Sequence, residues 1–268
     1  MTQASTASLG TAAITGASSG IGRIYADRLA RKGYNLLLIA RRGELLEKAA
    51  AELRQAHGVA VETLVADLGS PPDLASTAKR LAEDSAITLL VNNAGVSTLA
   101  PVADTTQGQI DAMLSVNIAA LVTLSRAVVE RFRKEDSGTL VNIGSVLGFA
   151  TLPISSVYSA TKAFVHLFTR GLQDELQDSK VRVHLVLPAA TATDIWELSG
   201  VPLEHLDASI VMKAEHCVDA ALAGLDAGER VTMPSVEDVD TLTSLDKARL
   251  TLLTSSQTGR PATRYNVA

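Results

Sequence analysis

Short apolar runs at residues 11–15, 35–40, 60–66, 88–92, 139–144 and 181–187, and a weaker one at 230–233, alternate with helical patterns at 20–32, 43–57, 74–83, 106–133 and 156–177. Runs such as Leu36-Leu37-Leu38-Ile39 are apolar at successive positions, so both faces of the strand must be hidden. Parallel strands joined by crossover helices satisfy that demand. The expected fold class is therefore α/β, a doubly wound parallel sheet of about seven strands with helices on both faces. No repeat, linker or low-complexity stretch interrupts the pattern, so residues 1–268 read as a single domain. Residues 236–256 read as a final helix before a polar tail.

Composition narrows the function classes. A hydrophobic share of 47% excludes a disordered chain. The net charge of −5, with no basic tract, argues against nucleic acid as partner. No uninterrupted apolar run reaches the roughly 18 residues of a membrane span. Residues 1–10 lack a basic segment followed by an apolar one, so no signal peptide is expected and a cytoplasmic location is. Cys217 is the only cysteine, so no intrachain disulfide forms, and its helical setting predicts a small packed apolar group. The five histidines show no metal-ligand spacing, and no G-x-S-x-G elbow is present; neither a metal site nor a hydrolase is expected.

The stretch Thr15-Gly16-Ala17-Ser18-Ser19-Gly20-Ile21-Gly22 follows an apolar strand and opens a helix. Glycines here let the backbone turn sharply and approach a pyrophosphate, which then meets the amides and positive dipole of the helix N-terminus. An ordinary glycine-rich turn would look similar, but strand, helix and three glycines together favour a dinucleotide. At the end of the second run, Ala40-Arg41-Arg42 offers two guanidiniums where an NAD site usually has a carboxylate. An arginine pairs with a 2′-phosphate, so NADP(H) is the expected cofactor; alternatively, Arg41 and Arg42 only solvate the helix start or pair with Glu44.

Tyr158 and Lys162 are four residues apart, on one face of a helix. An ammonium beside a phenol favours the phenolate, which would lower the Tyr158 pKa and make it a general acid or base. Ser145 follows the fifth apolar run, at a strand end where open α/β sheets place their ligands. Asn117 lies on the apolar stripe of helix 106–133, where an amide must find hydrogen bonds. Each has a structural alternative: a surface Lys beside a half-buried Tyr, a loop Ser, a helix-to-core amide.

The order Thr-Gly-x-x-x-Gly-x-Gly, Asp67, Asn92-Asn93-Ala94-Gly95, Asn117, Ser145, Tyr158 and Lys162 resembles the short-chain dehydrogenase/reductase family, over residues 9–195. The resemblance implies a Rossmann-type fold with its dinucleotide-binding core at 9–193, a substrate lid at 194–214 and a C-terminal helical part at 215–256. It implies that Gly16, Ser18, Ser19, Gly20, Ile21 and Gly22 hold the pyrophosphate. Asp67 and Leu68 would hold the adenine edge, and Asn93, Ala94 and Gly95 would line the adenosine ribose. Lys162 would bind the nicotinamide ribose, and Pro188, Thr191 and Thr193 the nicotinamide side, with Ala189 standing where glycine is usual. In the implied chemistry Ser145 polarises a carbonyl oxygen, Tyr158 transfers the proton, and Asn117 holds a water against Lys162. Leu147, Phe149, Leu152, Ile154 and Trp196 would line an apolar substrate pocket suited to an uncharged carbonyl or alcohol. A carbonyl reductase, equivalently an alcohol dehydrogenase, acting as a homodimer or homotetramer is thus implied. The alternatives are an NAD-dependent secondary-alcohol dehydrogenase and a non-catalytic NADP-binding sensor or scaffold.

Overall fold

A computed structural model describes residues 9–267; the stretch 1–8, read above for a leader, lies outside them. Seven parallel strands form one sheet: β1 (Thr11–Thr15), β2 (Asn35–Ala40), β3 (Val61–Val65), β4 (Ile87–Asn92), β5 (Thr139–Ile143), β6 (Arg182–Val186) and a short edge strand, Val231–Thr232. The spatial order is β3-β2-β1-β4-β5-β6 followed by that edge strand. The order reverses between β1 and β4, and a crevice opens there at the carboxyl ends of the strands.

The helices cover both faces. On one side lie α1 (Gly20–Arg31) and α2 (Gly43–His57), whose Leu29, Leu46 and Leu53 pack with Ile14, Leu36 and Leu38. On the other lie α3 (Pro71–Glu83), α4 (Gln107–Leu114), α5 (Leu121–Glu135) and α6 (Ser156–Glu175). Leu124, Val128 and Phe132 of α5 join Leu37, Leu90 and Leu140 in that second core. The first helix of this set starts at Pro71, three residues earlier than the apolar pattern suggests, because proline suits the first helical turn.

The long helix expected at 106–133 is not regular. A capping box of Thr106 and Gln109 starts it, and residues Ser115–Ala120 then form a π-helical segment between α4 and α5. By length and composition the span 107–135 could cross a membrane. Its apolar stripe of Met113, Leu124, Val128 and Phe132 is instead buried in the protein core.

Just before the lid segment stands a strand β7 (Thr191–Ala192); the lid itself holds a short helix α7 (Ile195–Ser199), two 3-10 turns and a strand β8 (Met212–Lys213) that pairs with β7. Two-residue strands carry no readable period, and this ribbon is not foreseen in the sequence. Helix α8 (Ala214–Asp226) packs on α1, where Arg28 bridges Asp27 and Asp219. Cys217 is buried in α8, and burial pushes its thiol up to about 11. The edge strand Val231–Thr232, β9, closes a first compact unit that ends at Pro234. A second unit, Ser235–Ala268, carries helix α9 (Val239–Ser256), which starts at its Asp238 cap.

Candidate active site

The glycine turn is built for close approach. Gly16 adopts a φ of +67°, and a Cβ there would meet Asn93 Nδ2 at 2.8 Å and Ala94 Cα at 3.0 Å. A Cβ on Gly22 would meet the Gly16 carbonyl oxygen at 2.5 Å, so only glycine lets α1 begin this near the turn. The turn is locked from β4: Asn93 Nδ2 donates to the Thr15 carbonyl at 2.9 Å, and the Asn93 and Ala94 amides donate to Thr15 Oγ1. The result is a cradle of closely approached backbone at the N-terminus of α1, which fits a pyrophosphate.

At the end of β2, Arg42 donates to Ser19 Oγ at 2.7 Å and Ser18 Oγ at 3.3 Å. Arg41 and Arg42 are both exposed at the mouth of the crevice. Arg42 is therefore already turned toward the cradle. Asp67 takes neither the helix-cap position nor an ion pair: its Oδ1 accepts from the Gly69 amide and shapes its own loop, while Ser70 precedes α3. Ala189 costs no strain, because the only described non-glycine residues at positive φ are Asp136 and Asn266.

Next to this cradle, Tyr158 and Lys162 project from the first turns of α6. Lys162 is 6% exposed, and its Nζ donates to the Ile143 carbonyl at 3.0 Å. It lies 5.7 Å from the centre of the Tyr158 ring. Tyr158 hydrogen-bonds Ser145, whose Oγ also accepts from the Leu147 amide at 3.1 Å. The expected lowering of the Tyr158 pKa is not what this state shows. Burial pushes it up to about 12, against a smaller downward pull from the Ser145 bond, and burial brings Lys162 down to about 8. The reason is geometric: the ammonium is turned to the Ile143 carbonyl, and each group loses water without gaining the other's charge.

Asn117 is 2% exposed and sits in the π segment. Its Oδ1 accepts from the Val96 amide, and its Nδ2 donates to the Val96 carbonyl and to Thr161 Oγ1. A second buried amide chain runs beneath it. Asn92 donates to Ser125 and Asn142, and Asn142 to Thr169, tying β4 and β5 to α5 and α6.

A cavity of about 590 Å³ joins these parts. Its walls include Gly16, Ser18, Ser19, Gly20, Ile21, Arg41, Arg42, Asp67, Leu68, Asn93, Ala94, Gly95, Ser145, Tyr158, Lys162, Pro188, Thr191 and Thr193. Gly22 and Asn117 do not line it; they stand directly behind the wall. Of the expected substrate residues, Leu147, Leu152, Ile154 and Trp196 line the cavity, and Trp196 Nε1 is anchored on the Thr191 carbonyl at 2.8 Å. Phe149 does not: it turns away, 39% exposed, and meets the edge of His166. Leu206 and Ile210, apolar residues of the expected lid, also line the cavity, whereas Leu99, which completes the apolar wall, is missed by sequence reasoning. Leu99 is tied to the lid by its amide, which donates to the Ser199 carbonyl at 2.9 Å.

The short chain dehydrogenase profile matches residues 10–200, and the chain belongs to that oxidoreductase family. Among solved structures, a short-chain dehydrogenase from Sphingobium yanoikuyae in complex with NADPH is 44% identical, with a TM-score of 0.92 over 96% of this chain and 100% of that one. A bulky-bulky ketone specific alcohol dehydrogenase from Comamonas testosteroni is 39% identical, with a TM-score of 0.88 over 97% of this chain and 99% of that one. A very-long-chain 3-oxoacyl-CoA reductase of Anas platyrhynchos is 35% identical over 70% of this chain and 62% of its own length. The chain thus spans about three fifths of the length of the first curated relatives it matches.

Proposed function

We propose that this chain is an NADPH-dependent reductase of uncharged, apolar ketones and aldehydes, favouring ketones with apolar groups on both sides of the carbonyl, and the reverse dehydrogenase. The observation that carries the reading is the position of Tyr158 and Ser145, between the glycine cradle and an apolar lobe of the same cavity. NADPH, when bound, supplies the hydride. Ser145 donates to the carbonyl oxygen and fixes its place. Tyr158 donates the proton that the nascent alkoxide takes up, and accepts it in the reverse direction. Lys162 is free to leave the Ile143 carbonyl for a ribose hydroxyl, and its charge then lowers the cost of a Tyr158 phenolate. Arg41 and Arg42 hold the 2′-phosphate.

The lobe is lined by apolar side chains: Leu147, Leu152 and Ile154 from the segment between Ser145 and Tyr158, and Leu99, Trp196, Leu206 and Ile210. The one acid toward the lid is Asp194, and Lys213 and His205 do not line the cavity. A coenzyme A thioester would bring phosphates to a wall without cations, so 3-oxoacyl-CoA is disfavoured. The Comamonas testosteroni structure, of a bulky-bulky ketone specific enzyme, and the NADPH-bound Sphingobium yanoikuyae structure support the reading.

A panel of ketones assayed by NADPH oxidation tests it. Each methylene buried in the lobe is worth ~0.8 kcal/mol, so kcat/KM is expected to rise about fourfold per methylene on either side of the carbonyl. A preference for 3-oxoacyl-CoA would overturn the substrate class. Cofactor binding without oxidation of any member would favour the sensor or scaffold.

The pH dependence has opposite signs in the two directions. Once Lys162 has turned from the Ile143 carbonyl to the cofactor, its charge reaches Tyr158 and the two titrate as a pair, and we take the burial-lowered Lys162 value of about 8 as the region where that pair loses its first proton. Reduction needs the protonated pair, so its kcat/KM is expected to fall as pH rises through that value. Alcohol oxidation needs the deprotonated pair and is expected to rise over the same interval. Parallel pH profiles in both directions, each flat from pH 6 to 9, would refute the assignment.

A further inference from the structure

Thr161 lies between Tyr158 and Lys162 on α6, and its side chain points away from the cavity. It is 1% exposed. Its single hydroxyl proton is committed, because Oγ1 donates to the Tyr158 carbonyl at 2.8 Å. The oxygen then accepts one of the two Asn117 Nδ2 protons at 3.1 Å. The other Nδ2 proton goes to the Val96 carbonyl at 2.9 Å, and Asn117 Oδ1 accepts from the Val96 amide at 2.9 Å. One buried hydroxyl thus joins three elements: the loop 93–96 that lines the cavity, the π segment, and the turn of α6 that carries the Tyr158–Lys162 pair. Asn117 has no remaining freedom once Thr161 is in place, and the backbone of Tyr158 is tied to it through one atom.

We propose that Thr161 is a positioning residue that sets the register of Tyr158 and Lys162 against the 93–96 loop, through Asn117. The inference rests on the reductase reading above. Thr161 touches neither substrate nor cofactor; it acts through Asn117 and the Tyr158 carbonyl. Asn117 needs an acceptor at this point, since a buried N–H without one pulls the amide toward another partner. Valine keeps the branched shape but offers no acceptor. Serine keeps the hydroxyl and loses only the methyl group.

The test compares Thr161→Val and Thr161→Ser with the wild type in both reaction directions, with melting temperature and NADPH affinity measured on each. Thr161→Val is expected to lower kcat about tenfold, the scale of one lost hydrogen bond in the reacting geometry. KM for ketone and for NADPH should stay within about twofold, because the cavity wall itself is unchanged. The pH at which alcohol oxidation rises should move, since the distance from Lys162 to Tyr158 sets it. Thr161→Ser should recover kcat to within about threefold of wild type and restore the wild-type pH profile. A Thr161→Val enzyme with wild-type kcat and pH profile overturns the proposal. So does a serine variant as impaired as the valine one, or a loss that follows melting temperature alone with an unmoved pH profile. A wild-type enzyme inert on every ketone overturns the reductase reading and this inference with it; an active wild type matched by Thr161→Val overturns this inference only.

Discussion

Tyr158→Phe is expected to reduce turnover by roughly 10²- to 10⁴-fold, the range that a positioned general acid contributes. NADPH affinity should change by less than about twofold, since the ring and its place on α6 remain and only the hydroxyl is removed. The structure argues that the fold will tolerate the change. The Tyr158 hydroxyl bonds Ser145; after the substitution Ser145 Oγ still accepts from the Leu147 amide and has the Pro188 carbonyl, at 3.5 Å, for its own proton. Tyr158 also retains its backbone tie to Thr161. No buried donor is stranded, so no large stability loss accompanies the loss of the proton. The two effects separate in one experiment: fluorescence titration with NADPH reads binding, and steady-state ketone reduction reads turnover. A Phe variant that reduces ketones as fast as wild type would remove Tyr158 from the mechanism. A variant that binds no NADPH would assign Tyr158 to the cofactor site instead.

What could be read from the chain, and what could not, follows from the range of the interactions involved. The pairing of Tyr158 with Lys162 is a local consequence of helical period, and Ser145 is placed by the strand that precedes it. The glycine turn is legible for the same reason: Gly16 and Gly22 answer a contact with the next strand's Asn93 and Ala94, but the need shows as glycine in the sequence. The π segment at Ser115–Ala120 is different. Its residues have ordinary helical preferences, and the wider turn goes with Asn117 bonding Val96 and Thr161, partners 21 and 44 residues away. The direction of the Tyr158 shift was equally hidden. It depends on whether Lys162 turns to the phenol or to the Ile143 carbonyl, and that carbonyl is placed by the sheet. Leu206 and Ile210 fall within the lid the sequence suggests, but Leu99 comes from a loop far earlier in the chain, and nothing in its spacing announces a shared wall. Phe149 shows the converse error, since its place in the chain between Ser145 and Tyr158 does not decide which way its ring faces.

The second large effect lies at the other end of the crevice. Replacing Arg41 and Arg42 together by Ala is expected to weaken NADPH by roughly 10²-fold or more, from the ~1.5–3 kcal/mol that each hydrogen bond to a charged group contributes. NADH should lose far less, because it carries a 2′-hydroxyl where NADPH carries a dianionic phosphate. The single variants should not be equal. Arg42 is already bonded to Ser18 and Ser19 in the cradle, so its removal also loosens the pyrophosphate turn and costs NADH a few-fold. Arg41 lies exposed at the mouth of the same crevice, and on the proposed reading its charge would meet the 2′-phosphate without supporting the turn, so Arg41→Ala should penalise NADPH alone. The interaction is also screened, so the NADPH preference of the wild type should fall as salt rises, while that of the double variant stays flat. Measuring kcat/KM for both cofactors on wild type, two single variants and the double variant decides the point. Equal losses for NADPH and NADH in the double variant would mean that the two guanidiniums serve only the turn, and the cofactor preference would then have to come from elsewhere in the cavity.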